Sequence, residues 1–203
     1  MAQSSHKDTL TIHRSLVINE LQGRLPGTGS HIAFWYFDYQ DQDNQAPRDV
    51  IAGLLRQVVA TDPELPECLE AAYKKFHGSP LPLLELQNLL VQIIGTYAEA
   101  HCVYVILDAL DECDEFRYRK ILLNFIQRLQ QIQNVRLLVT SRQRPHDINA
   151  AFHQNPQIEI KAQNWDLSCY MYREIEAAGV EELVDERFAS EIVENIASQA
   201  QGM

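Results

Sequence analysis

The sequence lacks the motifs of several widespread classes of metal-dependent and hydrolytic proteins. Its four cysteines form no C-x-x-C pair, and its seven histidines fall into no H-E-x-x-H or Cys/His ligand spacing, which argues against a zinc site. No G-x-S-x-G elbow is present to support a serine hydrolase. The chain also contains no G-x-x-x-x-G-K-[ST] loop, the motif with which many nucleoside triphosphatases hold phosphates.

Positive charge and long apolar runs are scarce as well. The 17 Lys and Arg residues are outnumbered by 28 Asp and Glu residues, and this net charge of −11 argues against binding to nucleic acid or to an anionic membrane surface. No run approaches the roughly 20 apolar residues of a membrane span, and the start, MAQSSHKDTL, lacks the apolar core of a signal peptide. We therefore expect a cytoplasmic protein with reduced thiols that binds neither nucleic acid nor membranes.

What the sequence does contain is an alternation of apolar runs and helical patterns. Strands are predicted near residues 31–37, 102–107, 135–140 and 157–160, and helices at 11–22, from Pro47 onward, and at 64–76, 83–99 and 116–131. This alternation predicts an α/β fold with a mostly parallel sheet and helices on both faces. Because only helical patterns follow residue 161, we expect a core over residues 1–163 and the start of a helical appendage over residues 164–203.

The segment VYVILDALDECDE (103–115) carries an apolar strand directly into acidic residues. Asp108 ends the strand, and Asp111 and Glu112 follow three and four residues later. Ligands of parallel sheets bind beyond the carboxyl ends of the strands, and neighbouring carboxylates repel one another unless a cation meets them. Mg²⁺, held by one or two carboxylates and phosphate oxygens, would meet this need, and the second acid could hold a water. The alternative is that Asp108 only caps a turn.

The next apolar run, VRLLVTS, leads to Arg142, 34 residues after Asp108. One right-handed strand–helix–strand crossover spans that separation, so Arg142 is expected at the same edge of the sheet. Carboxylates for a metal and a planar cation for a phosphate are parts of a nucleoside triphosphate site. An arginine–carboxylate bridge without a ligand is the alternative interpretation.

These two segments resemble the Walker B and sensor 1 segments of NACHT-type STAND nucleoside triphosphatases. The sequence is most similar to the nephrocystin-3-like N-terminal domain of large fungal proteins, which often carry ankyrin or WD repeats. The segments HIAFWYFDYQDQDNQAPRDVIAGLLRQVV (31–59) and IVENIASQAQGM (192–203) also resemble parts of that family. The resemblance implies a P-loop NTPase-like, three-layer parallel sheet and a signalling switch that uses Mg²⁺ with ATP or GTP.

The resemblance also implies a role for each candidate site residue. Asp108 would be the Mg²⁺-linked aspartate. Asp111 and Glu112 would be the catalytic acidic pair, with Glu112 orienting the attacking water. Arg142 would contact the γ-phosphate of the nucleotide.

The missing phosphate-binding loop is the main departure from the family pattern. The segment GRLPGTGS (23–30) has glycines, but no lysine follows them and the segment comes after a predicted helix. We therefore expect a fragment that lacks the first strand and its loop, stops inside a helical pattern, and binds nucleotide weakly or not at all. The alternative function is a non-catalytic module or degenerate remnant that binds protein partners or associates with itself.

Overall fold

The computed structural model describes residues 17–160 except residues 61, 63 and 144, together with six isolated residues further on. The chain divides into two compact units, Met1–His153 and Gln154–Met203. Most of the predicted helical appendage lies outside the described residues. The six described positions within it are all helical: 173, 187, 188, 190, 191 and 195.

Three parallel strands form the sheet of the first unit, in the order β1 (His31–Tyr36), β2 (Val103–Asp108) and β3 (Val135–Val139). His31 lies opposite Val103, and Val103 lies opposite Val135, so the strands start at the same level of the sheet. Their carboxyl ends therefore meet at one edge. The prediction of a parallel α/β sheet built from these three apolar runs is confirmed.

In the described part of the first unit, six α-helices accompany the strands. They are α1 (17–24), α2 (Pro47–Val59), α3 (Glu67–Lys75), α4 (Leu83–Ala100), α5 (Lys120–Gln130) and α6 (His146–Phe152). Pro47 occupies the first turn of α2, where its missing N–H removes no helical hydrogen bond. A five-residue π-helical turn, Glu115–Arg119, leads into α5. None of the described helices is long and apolar enough to cross a membrane.

The core lies on one face of the sheet. Val103, Val105 and Leu107 of β2 are at most 2% exposed, and they share a cluster with buried residues of α2, α4, α5 and α6. The intervening side chains of the strands are outside this cluster. Ile106 on that second face is buried, whereas Tyr36 and Leu138 are each 39% exposed. These contacts establish one helical layer, and the three-layer P-loop NTPase-like arrangement stays a prediction.

The predicted fourth strand at residues 157–160 is wrong. Residues 156–160 have no regular secondary structure, and Ile158 and Ile160 are each 88% exposed. The alternation in QIEIK has the period of a strand. However, a strand forms only where a neighbouring strand supplies hydrogen bonds and its apolar side chains are covered.

Candidate functional site

The carboxyl ends of β2 and β3 bring the predicted site residues to one edge of the sheet. Asp108 is the last residue of β2 and is only 8% exposed. Asp111 and Glu112 lie in the 3₁₀ turn that follows, and Arg142 lies in the loop after β3. Asp111, Glu112 and Arg142 are in direct contact, while Asp108 contacts Thr140 instead.

Thr140, directly after β3, fixes the start of residues 109–113, the acidic turn. Its hydroxyl donates a hydrogen bond of 2.6 Å to Asp108 Oδ1 and accepts one of 2.9 Å from the Ala109 N–H. Its carbonyl accepts a hydrogen bond of 2.9 Å from the Leu110 N–H. Ala109 has a left-handed backbone with φ of 55°, a conformation that disfavours large or β-branched side chains. The sharp turn that carries the acids is therefore held by the neighbouring strand.

Arg142 forms ion pairs with both acids of the turn. Its Nε lies 3.4 Å from Asp111 Oδ2 and its Nη2 lies 3.3 Å from Glu112 Oε1. The Arg142 backbone N–H also donates to Asp111 Oδ1 over 3.2 Å. The two acidic side chains are 9% and 12% exposed, whereas the arginine side chain is 75% exposed. A single solvent-exposed cation thus pairs with two nearly buried carboxylates.

Glu112 also connects the acidic turn to the loop after β1. Its Oε2 accepts a hydrogen bond of 3.3 Å from the Tyr39 N–H, and its carbonyl accepts one from the Gln42 side chain. Because Oε1 faces Arg142, both carboxylate oxygens already have partners. In this arrangement Glu112 holds two loops together, and a water oriented by Glu112 would share its oxygens with Arg142 and the Tyr39 N–H.

An open cleft of about 490 Å³ lies over this junction. Side chains from all three strand-end loops line it: Tyr39, Gln42, Asp111, Glu112, Cys113 and Arg142. Burial raises the pKa of the Cys113 thiol to about 11, and the nearby Arg119 cation only partly opposes this effect. Cys113 is therefore an uncharged wall of the cleft at neutral pH and is not a nucleophile.

The prediction missed Arg119, a buried arginine beneath the acidic turn. Its side chain is 6% exposed, and its Nη2 donates hydrogen bonds of 2.7 Å to the carbonyls of Asp111 and Cys113. Its Nη1 lies 3.5 Å from the Asp147 carboxylate at the start of α6. A signal was present in the sequence, because Arg119 stands three residues before the buried Leu122 on the apolar side of the same helical segment.

The site provides the oxygen ligands that Mg²⁺ requires, but only a small number of them. Among the described residues, no group of three or more His, Cys, Asp and Glu side chains is arranged to hold a metal ion. Mg²⁺ needs only one or two carboxylates when phosphate oxygens and waters complete its shell, so Asp108, the predicted metal ligand, fits the metal side of such a site. In the structure Asp108 accepts a hydrogen bond from Thr140, and its neighbour Asp111 is ion-paired with Arg142, so a metal would compete with these contacts.

The domain is thus a parallel α/β fold with two acids and an arginine paired at the carboxyl edge of its sheet. Residues 10–142 match the family described as nephrocystin 3, N-terminal. Because this match covers more than half of the chain and includes all four predicted site residues, the chain belongs to that family, as the sequence resemblance predicted. No curated protein and no solved structure gave a significant match.

Proposed function

We propose that this domain is a NACHT-like nucleotide switch of a cytoplasmic signalling protein of the fungal type. In this proposal Asp108 lies on the metal side of a Mg²⁺-nucleotide site, and Asp111 and Glu112 form the catalytic acidic pair. Arg142 meets the γ-phosphate of ATP or GTP. The observation that carries the proposal is the ion pairing of Arg142 with both acids of the turn at the carboxyl edge of the sheet.

Charge exchange explains how this ion pair would serve a switch. Two nearly buried carboxylates need a positive partner, because repelling charges in a partly desolvated site are costly. Arg142 is that partner in the structure, and its exposure leaves it free to move. Mg²⁺ supplies positive charge for the acids when nucleotide is bound, and the guanidinium can then pair with phosphate oxygens, for which its planar donors are suited. Nucleotide would thus replace one set of ion pairs by another.

The proposal includes weak nucleotide binding by this chain. Most phosphate contacts of such sites come from backbone N–H groups and a lysine in the phosphate-binding loop, and the sequence contains no such motif. The acids alone repel phosphate. We therefore expect a Kd of about 1 mM for Mg²⁺-ATP or Mg²⁺-GTP, which corresponds to a binding free energy of about −4 kcal/mol.

Calorimetric titration with each nucleotide, with and without Mg²⁺, tests this function. Asp108→Ala should remove the Mg²⁺ dependence, and Arg142→Ala should remove any preference for tri- over diphosphate. Arg56→Ala is the matched control. Arg56 is exposed and lies near the opposite edge of the sheet, where the carbonyl of Val58 contacts His31. Any hydrolysis should slow about 10²-fold in Glu112→Gln, as expected for loss of a general base.

Two outcomes would overturn this proposal. Binding that is absent, or independent of Mg²⁺ and unchanged by Asp108→Ala, would mean that the acids and Arg142 form only a structural bridge. A sub-micromolar Kd would instead contradict the weak-binding part and require a phosphate site that the sequence motif does not reveal.

A second candidate function is a non-catalytic module that associates with itself or with protein partners. It is favoured by the apolar second face of the sheet, where Tyr36 and Leu138 are 39% exposed and the rings of Phe34 and Tyr36 lie 5.5 Å apart. Exposed apolar sheet surfaces promote association. Light scattering across a concentration series should detect oligomers that Leu138→Lys reduces. Leu84→Lys, at an exposed leucine of α4, should have no effect, and a monomer at every concentration would exclude self-association.

A further inference from the structure

Arg119 is a buried charge that stability alone does not explain. It is 5% exposed, and within the described part of the chain its Nε has no hydrogen-bond acceptor. Burying a guanidinium with one donor unsatisfied is unfavourable, and apolar replacements of buried ion pairs are often neutral or stabilising. The next buried positions of the same segment are Leu122 and Leu123, so an apolar residue would suit the packing at position 119.

The contacts of Arg119 surround Glu112. One nitrogen, Nη2, donates to the carbonyls of Asp111 and Cys113, the residues directly before and after Glu112. Both bonds are 2.7 Å long, which is short for a bond from a guanidinium to a neutral carbonyl. The backbone on both sides of Glu112 is therefore attached to a single planar group.

The second arm of the guanidinium reaches the loop that carries Arg142. Asp147, five residues after Arg142, lies in the first turn of α6, and both of its carboxylate oxygens are 3.5 Å from Arg119 Nη1. Arg119 thus touches the acidic turn with one nitrogen and the anchoring helix of the Arg142 loop with the other.

We infer that Arg119 is a positioning residue that sets the acidic turn against the Arg142 loop. It acts through the backbone of Asp111 and Cys113 and through Asp147, and it does not itself face the cleft. The importance of this for nucleotide binding rests on the proposed function, but the geometric claim does not. The competing explanation is that Arg119 only stabilises the packing of α5 against α6.

Amide hydrogen exchange of the folded full chain, without nucleotide, separates the two explanations. The N–H groups of Glu112 and Cys113 donate within the acidic turn, and the N–H of Arg142 donates to Asp111. Arg119→Lys keeps the charge, but a single ammonium cannot reproduce a planar fork with two separated nitrogens. These three amides should then exchange about tenfold faster or more, as expected when a hydrogen bond from a charged group is lost.

Arg128→Lys is the matched control. Arg128 is also in α5, and it donates to Asn88 over 2.7 Å and to Gln87 over 3.5 Å, both on α4. The same substitution there should leave exchange in the acidic turn unchanged. If Arg119→Lys speeds exchange equally in the turn and in the interior of β2, or leaves the turn unchanged, the positioning role is wrong.

Asp147→Asn gives an independent variant, including the case in which Arg119→Lys fails to fold. Its side chain is 36% exposed, so the change is expected to be tolerated. It weakens only the arm towards α6, and exchange should increase at Arg142 more than at Glu112. The inference is contradicted if Asp147→Asn changes the exchange rates of the Arg142 and Glu112 amides by the same factor, or changes neither rate.

Nucleotide titration of the same variants keeps this inference distinct from the proposed function. If the unmodified chain binds no Mg²⁺-nucleotide but Arg119→Lys loosens the acidic turn, the proposed function fails and the positioning role stands. If the chain binds Mg²⁺-nucleotide while Arg119→Lys changes neither affinity nor exchange, the positioning role fails and the proposed function stands.

Discussion

Replacing Thr140 by valine should destabilise the protein far more than a surface threonine-to-valine change. Valine keeps the shape and the preference for extended backbone, so the comparison isolates the hydroxyl. That hydroxyl donates to Asp108 Oδ1 over 2.6 Å and accepts from the Ala109 N–H over 2.9 Å. Thr140→Val removes both bonds together and leaves a nearly buried carboxylate and a nearly buried N–H without this partner.

The magnitude follows from these two bonds. A hydrogen bond to a charged group contributes about 1.5–3 kcal/mol, and a buried donor left unsatisfied costs about 1–3 kcal/mol. Since Thr140 is only half-buried, water can recover part of this loss. We expect the free energy of unfolding to fall by about 3 kcal/mol, which corresponds to a decrease in Tm of about 6–12 °C for a chain of this size.

Urea denaturation followed by far-ultraviolet circular dichroism measures this difference. Thr96→Val is the control, because the Thr96 hydroxyl donates only to the Gln92 carbonyl on the exposed side of α4. Its effect should stay within about 0.5 kcal/mol. If Thr140→Val costs less than about 1 kcal/mol, or no more than Thr96→Val, the strand end does not hold the acidic turn in the way argued above.

Three further predictions concern the packing around the sheet and the cleft. Gly53→Ala would place Cβ 2.4 Å from the Trp35 ring and should lower the free energy of unfolding, measured in urea titrations, by about 1–3 kcal/mol. Gly95→Ala meets nothing within 4 Å and should raise this free energy by about 0.5–1 kcal/mol. Asp114→Ala removes a carboxylate oxygen that accepts two backbone N–H bonds of 2.9 Å, and it should lower thermal stability by about 1 kcal/mol; an unchanged Tm would contradict this. Because burial raises the pKa of Cys113 from 9.0 to about 11, the unfolded chain loses this proton first, so stability should fall between pH 9 and 11, and native Cys113 should resist thiol reagents at pH 8.

The parts of the fold that the sequence predicted are those with strong hydrophobic patterns. The apolar runs at 102–107 and 135–140 are strands because both are long enough to cross a sheet, and the helix around 83–99 has apolar residues on one side throughout its length. The segment 157–160 has the right alternation but no strand partner, and pairing is a property of the whole fold that a local pattern does not contain.

The candidate site was predictable in the same uneven way. The meeting of Asp111, Glu112 and Arg142 follows from strand ends and a single crossover, and the structure contains it. Thr140 was not predicted as a site residue, because its contacts depend on the left-handed backbone of Ala109, which no local sequence pattern predicts. Arg119 was more predictable, since a charged residue on the apolar side of a helical segment indicates a buried charge with a partner.

Burial separates the two arginines of the acidic turn into different roles. The Arg142 side chain is 75% exposed and pairs with two carboxylates, whereas the Arg119 side chain is 6% exposed and bonds to two backbone carbonyls as well as the Asp147 carboxylate. The exposed Arg142 guanidinium can return to water, so a ligand that supplies positive charge to the two acids can displace it. Moving Arg119 would leave a buried charge unpaired, which costs about 3–5 kcal/mol. Under the proposed function, a ligand that binds the acids would therefore exchange with Arg142, while Arg119 would keep the turn in place during that exchange.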